Sequence, residues 1–462
     1  MLARAEIISG LATLLGESGV LTGADVSDRF DGWPPIAPVH AHCIARPAST
    51  EEVSSVLQYC NDQGIAVVPQ GGRTGLSKGA RSVSDNVVLS TERLNRIESV
   101  DEFGSTMTVQ AGVALSTLQT AAYDVGLFYP VDIGARGSAT IGGMVATNAG
   151  GNRVLRYGMT REQVLGIEVV LADGTVVSNM NRLLKNNAGY DIKQLFIGSE
   201  GTLGVVTRAV LRLRPPMGPS ATAFISIDRL ELVQKVLRRI NDLASSTLTS
   251  FEVMWPGFLE LVLAHSNHTK PLSDADQFCV LVEIAGSHAD AMLGDCVSKS
   301  WEEGLVSDAV IAKNEREAAA LWAIRDDAGA RAAAMKPNLH FDIGLPQNEM
   351  DAYISGLRKD LESTWPAAKL LVFGHLADCN LHLNISVGTE DAVARRCVDE
   401  MVYRPLAKFQ GTVAAEHGIG LSKRDYLGVS RNAPEIALMR RLKALLDPKD
   451  TMNPGKIFAA RL

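Results

Sequence analysis

A chain of 462 residues, 46% hydrophobic and 21% charged, is longer than one ordinary core serves, so two or three globular domains are expected. Its net charge of −7 argues against nucleic acid or an anionic membrane as the main partner, and no run of roughly 18 uncharged apolar residues is present to cross a bilayer. Cys43, Cys60, Cys279, Cys296, Cys379 and Cys397 are scattered without a paired motif, which fits reduced thiols in the cytoplasm and excludes a cysteine-ligated iron–sulfur cluster of the usual spacing.

The first 21 residues read as an amphipathic helix, and Glu6 and Glu17 speak against a transit peptide. Ser49-Thr50-Glu51-Glu52 is a capping box, followed by Val53, Val56, Leu57 and Cys60 at helical spacing and closed by Gly64. A strand at Ile65 to Pro69 then enters Gln70 to Gly79, where Gly71, Gly72, Gly75 and Gly79 allow backbone amides to approach an anion. A flexible surface turn is the plainer alternative for this loop. Strands are expected at Val87 to Leu89 and Met107 to Gln110, and a helix from about Ala114 to Gly126. Pro130 to Gly151 is dominated by small residues, as suits a long flat ligand lying against main chain; Ile141, Met144 and Val145 argue that it is folded rather than a linker.

Gly166 to Ser178 predicts a hairpin turning at Asp173-Gly174, and Gly198 to Pro216 a second small-residue loop running into a strand. Pro215, Pro216 and Pro219 mark a domain boundary. From about Ala221, long helices alternate with strands, among them the strand Phe278 to Gly286 and a helix Asn314 to Met335, which points to an α+β domain on one broad sheet. The last helix, Glu435 to Leu446, stops at Asp447-Pro448 before Met452 to Phe458, and no internal repeat is visible.

The chemistry concentrates in two short runs. Ala414 to Gly420 sets Glu416 beside His417 between small residues, and Val372 to Asn384 supplies His375, His382 and Asn384 on a strand, turn and strand. Two histidines and a carboxylate are a recurrent ligand set for a divalent metal such as zinc, and a further histidine would then be free to move protons. His375 and His382 would face opposite sides of one continuous strand, so both reach one ion only if Ala377-Asp378-Cys379-Asn380 turns the chain. Ordinary surface or core histidines are the alternative, but only nine histidines occur and three fall in these two runs.

From about residue 38 onward the chain resembles the vanillyl-alcohol oxidase/p-cresol methylhydroxylase superfamily, and within it the FAD-linked D-2-hydroxyacid dehydrogenases. The resemblance is carried by Pro69 to Gly75, Ile141 to Gly151, Leu155 to Gly158, Gly189 to Thr207, Gly374 to Asn384, Ala414 to Gly420 and Leu445 to Lys456. It implies an α+β fold: a two-part FAD-binding domain over 1–218, a cap domain with a broad sheet flanked by helices over 219–421, and a segment 422–462 returning to the first domain. It also implies that Pro69, Gly71, Gly72, Arg73, Thr74, Gly75 and Leu76 hold the FAD pyrophosphate. Pro130, Asp132, Gly134, Ser138, Gly142, Gly143, Thr147, Asn148 and Gly151 would line the ring system and ribityl chain, Gly201, Gly204 and Val206 the adenine end, and Asn453 the isoalloxazine. Arg73 stands in the first loop, where some superfamily members bear a residue bonded to the cofactor, so FAD is expected to be non-covalent.

The expected reaction is metal-assisted oxidation of a D-2-hydroxy acid of the hydroxyglutarate type to the 2-oxo acid. His375, His382 and Glu416 would hold the ion, His417 would take the hydroxyl proton, and Arg325 would pair with a substrate carboxylate, with Asn384 and His340 beside them. A solvated helix residue next to Asp326 and Asp327 is the alternative for Arg325. The pattern departs from hydroxyglutarate-specific relatives at His340 and Gly329, which replace a lysine and a threonine, and at Ala377 to Asn380, which replace GDGN. D-lactate or another short acid therefore stays open as substrate, as does a non-redox flavoenzyme on the same fold. An electron-transfer flavoprotein or quinone is the expected acceptor, and a homodimer the expected assembly.

Overall fold

The computed structural model describes residues 2–32, 37–244, 247–273 and 277–459. The chain divides into two compact units: residues 1–151, 157–216 and 416–462 form the first, and 152–156 and 217–415 the second. The division falls between Ala415 and Glu416, so His375 and His382 belong to the second unit and Glu416 and His417 to the first.

In the first unit, β1 (Val20–Leu21), β2 (Cys43–Ala45), β3 (Ala66–Gln70) and β4 (Asn86–Ser90) form a four-stranded sheet in the order β1-β2-β4-β3, with β2 and β3 both parallel to β4. β5 (Ile97–Asp101), β6 (Thr106–Gln110), β7 (Val164–Val170), β8 (Val176–Asn179) and β9 (Val205–Arg212) form an antiparallel sheet in the order β5-β6-β9-β7-β8. The helix expected after Ser49 spans Thr50–Gln63 and buries Val53, Val56, Leu57 and Cys60 against the first sheet. Its cap is half of the box expected: Ser49 Oγ accepts from the Glu52 amide, but the Glu52 carboxylate accepts from the Ala48 N–H rather than from that of Ser49. The small-residue run is folded, for Ile141–Thr147 is a helix whose Ile141, Met144 and Val145 enter the core over the second sheet.

The C-terminal segment completes this unit. The Val67 N–H on β3 donates to the Thr451 carbonyl and the Asn453 N–H donates to the Val67 carbonyl, so residues 451–453 line the free edge of β3. Backbone hydrogen bonding, not a further helix, is what fixes Asn453 in place.

The second unit is built on one antiparallel sheet of seven strands: β10 (Ser220–Ile227), β11 (Leu248–Met254), β12 (Phe278–Ala285), β13 (Asp308–Ile311), β14 (Leu339–Gly344), β15 (Lys369–His375) and β16 (Asn380–Ser386), in the order β13-β10-β12-β11-β15-β16-β14. The helix Leu230–Ala244 buries Val233, Val236, Leu237 and Ile240, the spacing of one helical face. Phe258, Leu259, Val262, Leu321, Ile324, Ala330 and Ala334 pack with Phe224, Met254, Leu281, Leu371 and Phe373 of the sheet. The long helix expected over Asn314 to Met335 is two, Glu315–Asp326 and Ala328–Ala334. Asp327 breaks it, because its carboxylate caps the second helix by accepting from the Ala330 amide. Among the described residues no helix is long and apolar enough to cross a membrane.

Candidate functional site

In the second unit, the chain between the two histidines turns as the spacing required. Leu376–Asp378 form a single helical turn and Cys379 takes a left-handed conformation (φ 67°), which returns β16 antiparallel to β15. Phe373 then lies opposite His382, and His375, two residues further along the same strand, shares that face. The two imidazoles meet edge to face with ring centroids 5.3 Å apart. On the neighbouring strand Glu252 is paired with His375, and on the far side β14 sets Asp342 opposite His382 and His340 opposite Asn384. Four adjacent strands thus contribute polar side chains to one sheet face.

Glu252, which is not among the residues expected from the sequence, organises this face. It is 1% exposed; one oxygen accepts from His375 Nδ1 at 2.6 Å, the other from Arg325 Nε at 3.0 Å and Nη2 at 2.7 Å. Burial opposes its ionisation, but the charges and hydrogen bonds of Arg325 and His375 outweigh that and hold the carboxyl down at about 2. The ionised Glu252 accepts at Nδ1 and so orients the ring, whose Nε2 lies 3.4 Å from Arg325 Nη2. Burial, reinforced by the charges of His375 and Arg325, pushes His382 well below the usual imidazole value, so its ring is neutral. The only sequence signal for Glu252 was an acid within the apolar run Phe251-Glu252-Val253-Met254.

Arg325 is buried, which overturns the solvated alternative. Its Nε/Nη2 edge is committed to Glu252, while Nη1 donates to the half-exposed Asp326 at 2.9 Å. His340 stacks on His382 with centroids 5.9 Å apart, and Asn384 donates to the Asn338 side-chain oxygen at 2.8 Å.

In the first unit, the loop after β3 and the small-residue run pack backbone on backbone. A Cβ on Gly72 would stand 1.8 Å from the Ser138 carbonyl oxygen, so no larger residue fits there. Arg73 takes a left-handed φ of 55°, and burial together with the charge of Arg29 lowers its pKa. Arg73 Nη1, Thr140 Oγ1 and Asn453 Oδ1 are buried without a hydrogen-bond partner among the described residues. A half-buried guanidinium without an ion pair among the described residues, beside glycine amides, is the donor set a diphosphate fits. Asn453 is fixed by its Nδ2, which donates to the carbonyls of Gly79 and Glu200 at 3.0 and 2.8 Å. Gly204 and Val206 are set differently, by packing against Val169 on β7.

The Glu416–Gly420 loop is bent as the glycines allow: Gly418 has φ 74° and Gly420 φ 53°. A second unanticipated acid secures it. Glu200, itself at φ 53°, accepts from the amides of Ile419 at 2.7 Å and Gly420 at 2.8 Å, and Ser77 Oγ donates to the His417 carbonyl at 2.6 Å. Glu416 Oε1 accepts from the Gly151 amide at 3.1 Å, and its other oxygen lies 3.8 Å from His417 Nε2.

Residues 41–179 match the profile of an FAD binding domain, and residues 219–457 that of the C-terminal domain of FAD linked oxidases. The D-2-hydroxyglutarate dehydrogenase of Xanthomonas citri pv. viticola is 41% identical over 423 residues, 90% of this chain and 89% of that one. The mitochondrial D-2-hydroxyglutarate dehydrogenase of Bos taurus is 40% identical over 419 residues, 90% of this chain and 76% of its own. Among solved structures, p-cresol methylhydroxylase with substrate bound superposes with a TM-score of 0.78 over 99% of this chain and 97% of its own, at 15% identity. That likeness concerns the fold alone, and it agrees with the α+β architecture expected from the sequence.

Proposed function

This chain belongs to the FAD-linked oxidases, and from that premise we propose that it oxidises a D-2-hydroxy acid of the hydroxyglutarate type to the 2-oxo acid. The naming of its relatives supports the substrate class. FAD, when bound, accepts the hydride from the substrate Cα, the one part of the reaction no side chain can supply. We assign its pyrophosphate to Pro69, Gly71, Gly72, Arg73, Thr74, Gly75 and Leu76, its ring and ribityl chain to the residues named between Pro130 and Gly151 and to Asn453, and its adenine to Gly201, Gly204 and Val206. The cofactor is held non-covalently in this reading.

His375, His382 and Glu416 are assigned to a divalent ion, with zinc the choice that imidazole and carboxylate ligands favour. Such an ion would bind the substrate hydroxyl and lower its pKa. The observation that carries this assignment is the edge-to-face pair of His375 and His382, with the His375 ring oriented through Nδ1 by an ionised Glu252 and the charged form of the buried His382 disfavoured. His417 takes the hydroxyl proton on an imidazole nitrogen, balancing the hydride that leaves from Cα. Arg325 presents its Nη1 edge to the substrate carboxylate in place of Asp326, while Glu252 keeps the other edge fixed; Asn384 and His340 flank the acid. Six free thiols support a reducing compartment, and we place the protein in the cytoplasm, passing electrons to an electron-transfer flavoprotein or a quinone and acting as a homodimer.

The deciding experiment is dye-coupled turnover of D-2-hydroxyglutarate and D-lactate, with metal and FAD quantified on the same sample. Turnover that chelation abolishes while FAD is retained supports the reading. Full activity with metal absent removes the ion from it, and preference for D-lactate moves the substrate to the short-chain alternative.

A further inference from the structure

One cation of the second unit has no role in the scheme above. Arg331 lies on the short helix Ala328–Ala334, and its Nη1 donates to the Arg325 carbonyl at 2.7 Å. That bond and the ring below it hold the guanidinium in place, with its carbon 4.7 Å from the centroid of Phe373. Arg325 sits over the same ring at 5.5 Å, and His382 lies against it with centroids 5.1 Å apart. Phe373 is therefore a common floor for two guanidinium groups and one of the histidines.

The two arginines differ in how their charge is answered. Arg325 has ion pairs with Glu252 and Asp326. Arg331 has no ion pair among the described residues. The carboxylates nearest in sequence are occupied elsewhere: Asp326 accepts from Arg325, and Asp327 accepts from His268 and caps the helix. Burial pushes Arg331 down to about 10, and the neighbouring charge of Arg325 acts in the same direction, against the pull of Asp326 and Asp327. A cation held at such a cost beside the histidine pair is what an incoming carboxylate completes.

We propose that Arg331 binds a second acidic group of the substrate, which makes this site selective for a D-2-hydroxy dicarboxylate over a D-2-hydroxy monocarboxylate. The inference rests on the dehydrogenase reading above and adds to it a specificity-determining residue. The first carboxylate and the hydroxyl are served by Arg325 and the histidine set, so only an acid with a second carboxylate reaches Arg331.

The test compares wild type with Arg331→Gln and Arg331→Lys on D-2-hydroxyglutarate and D-lactate, alongside calorimetric binding of glutarate and butyrate, which lack the reacting hydroxyl. Arg331→Gln is expected to lower kcat/KM for D-2-hydroxyglutarate by about 10- to 100-fold, chiefly through KM, the size of a lost charge-assisted hydrogen bond. Its turnover of D-lactate and its butyrate binding should stay at wild-type levels, its glutarate binding should weaken by the same factor, and Arg331→Lys should restore part of it. Equal losses for dicarboxylate and monocarboxylate, or no loss for either, overturn the proposal. If wild type oxidises neither acid, the dehydrogenase reading fails by itself, and the glutarate-to-butyrate ratio still decides the role of Arg331.

Discussion

The two units make their sites by opposite means. The first packs main chain on main chain where a cofactor is proposed: its glycine loops meet without side chains between them, as at Gly72, where a Cβ would meet the Ser138 carbonyl at 1.8 Å. The second offers side chains held rigid by cross-strand partners, as in the Arg325–Glu252–His375 chain of hydrogen bonds. A backbone site is broken by adding atoms; a side-chain site is broken by removing or neutralising one. The substitutions below separate the two.

The largest effect should come from the loop that carries Glu416 and His417. If His417 is the base, His417→Ala lowers kcat by about 10²- to 10⁴-fold, or roughly 3 to 5 kcal/mol of barrier, with metal retained. Glu416→Ala should instead lose metal and weaken substrate binding together with rate. Elemental analysis of the two variants decides, for metal lost from His417→Ala and kept in Glu416→Ala would exchange their roles.

Glu252→Gln should cost stability as well as activity. It leaves buried Arg325 with only the half-exposed Asp326 as counter-charge, an effect of up to about 3 to 5 kcal/mol when one partner of a buried pair is removed. It also turns an amide toward His375 Nδ1–H, which should weaken metal binding by about 10- to 100-fold. The pH dependence follows from the sign of the shift. The carboxyl is held at about 2 against an ordinary 4.5, so its contribution is fully present above 4.5 and disappears as pH falls toward 2. That contribution is about 3 kcal/mol, since one pKa unit is worth about 1.4 kcal/mol. Denaturant titrations from pH 6 to pH 2 should show wild type losing this increment and Glu252→Gln lacking it; parallel curves would mean that Glu252 does not carry the acid sensitivity.

Gly72→Ala tests the backbone site. The added methyl meets a main-chain oxygen and carbon of Ser138 and Ala139 rather than a movable side chain, so the cost should reach about 1 to 3 kcal/mol, the range for overpacking. FAD content should fall while the thermal stability of the second unit is unchanged. A variant with full FAD occupancy would show that the two loops part more easily than their packing suggests.

The same contrast explains what could be read from sequence. Glycine-rich loops announce themselves by composition, and the Thr50–Gln63 helix and the Asp173-Gly174 hairpin obey local rules of capping and turn chemistry. His375 and His382 were legible because a short turn joins them. Glu252 was not, since its partner His375 lies 123 residues away and only strand order makes them neighbours. Glu200 was hidden for the same reason: its bonds to the 419 and 420 amides span 219 and 220 residues. The broken helix at Asp327 is a different failure. Helical periodicity continues through it, and the competing cap that Asp327 forms is a local alternative the pattern does not register.

The smallest effect expected is at a residue belonging to neither site. Ser49 caps the Thr50–Gln63 helix through its Oγ, 3.2 Å from the Glu52 amide, and the Glu52 carboxylate accepts separately from the Ala48 N–H at 2.7 Å. Ser49→Ala removes one acceptor from a helix N-terminus and should cost about 1 kcal/mol. Glu52→Gln keeps an oxygen acceptor and loses only the favourable charge at the positive end of the helix, a matter of about 0.3 to 1 kcal/mol. Because the carboxylate serves Ala48 and not Ser49, the two groups act on different amides, and the double variant should lose the sum of the two effects. A loss well short of that sum would mean that the reciprocal box operates in solution. Turnover per bound FAD should match wild type in all three proteins, since the helix serves the first unit by burying its apolar face in that unit's core.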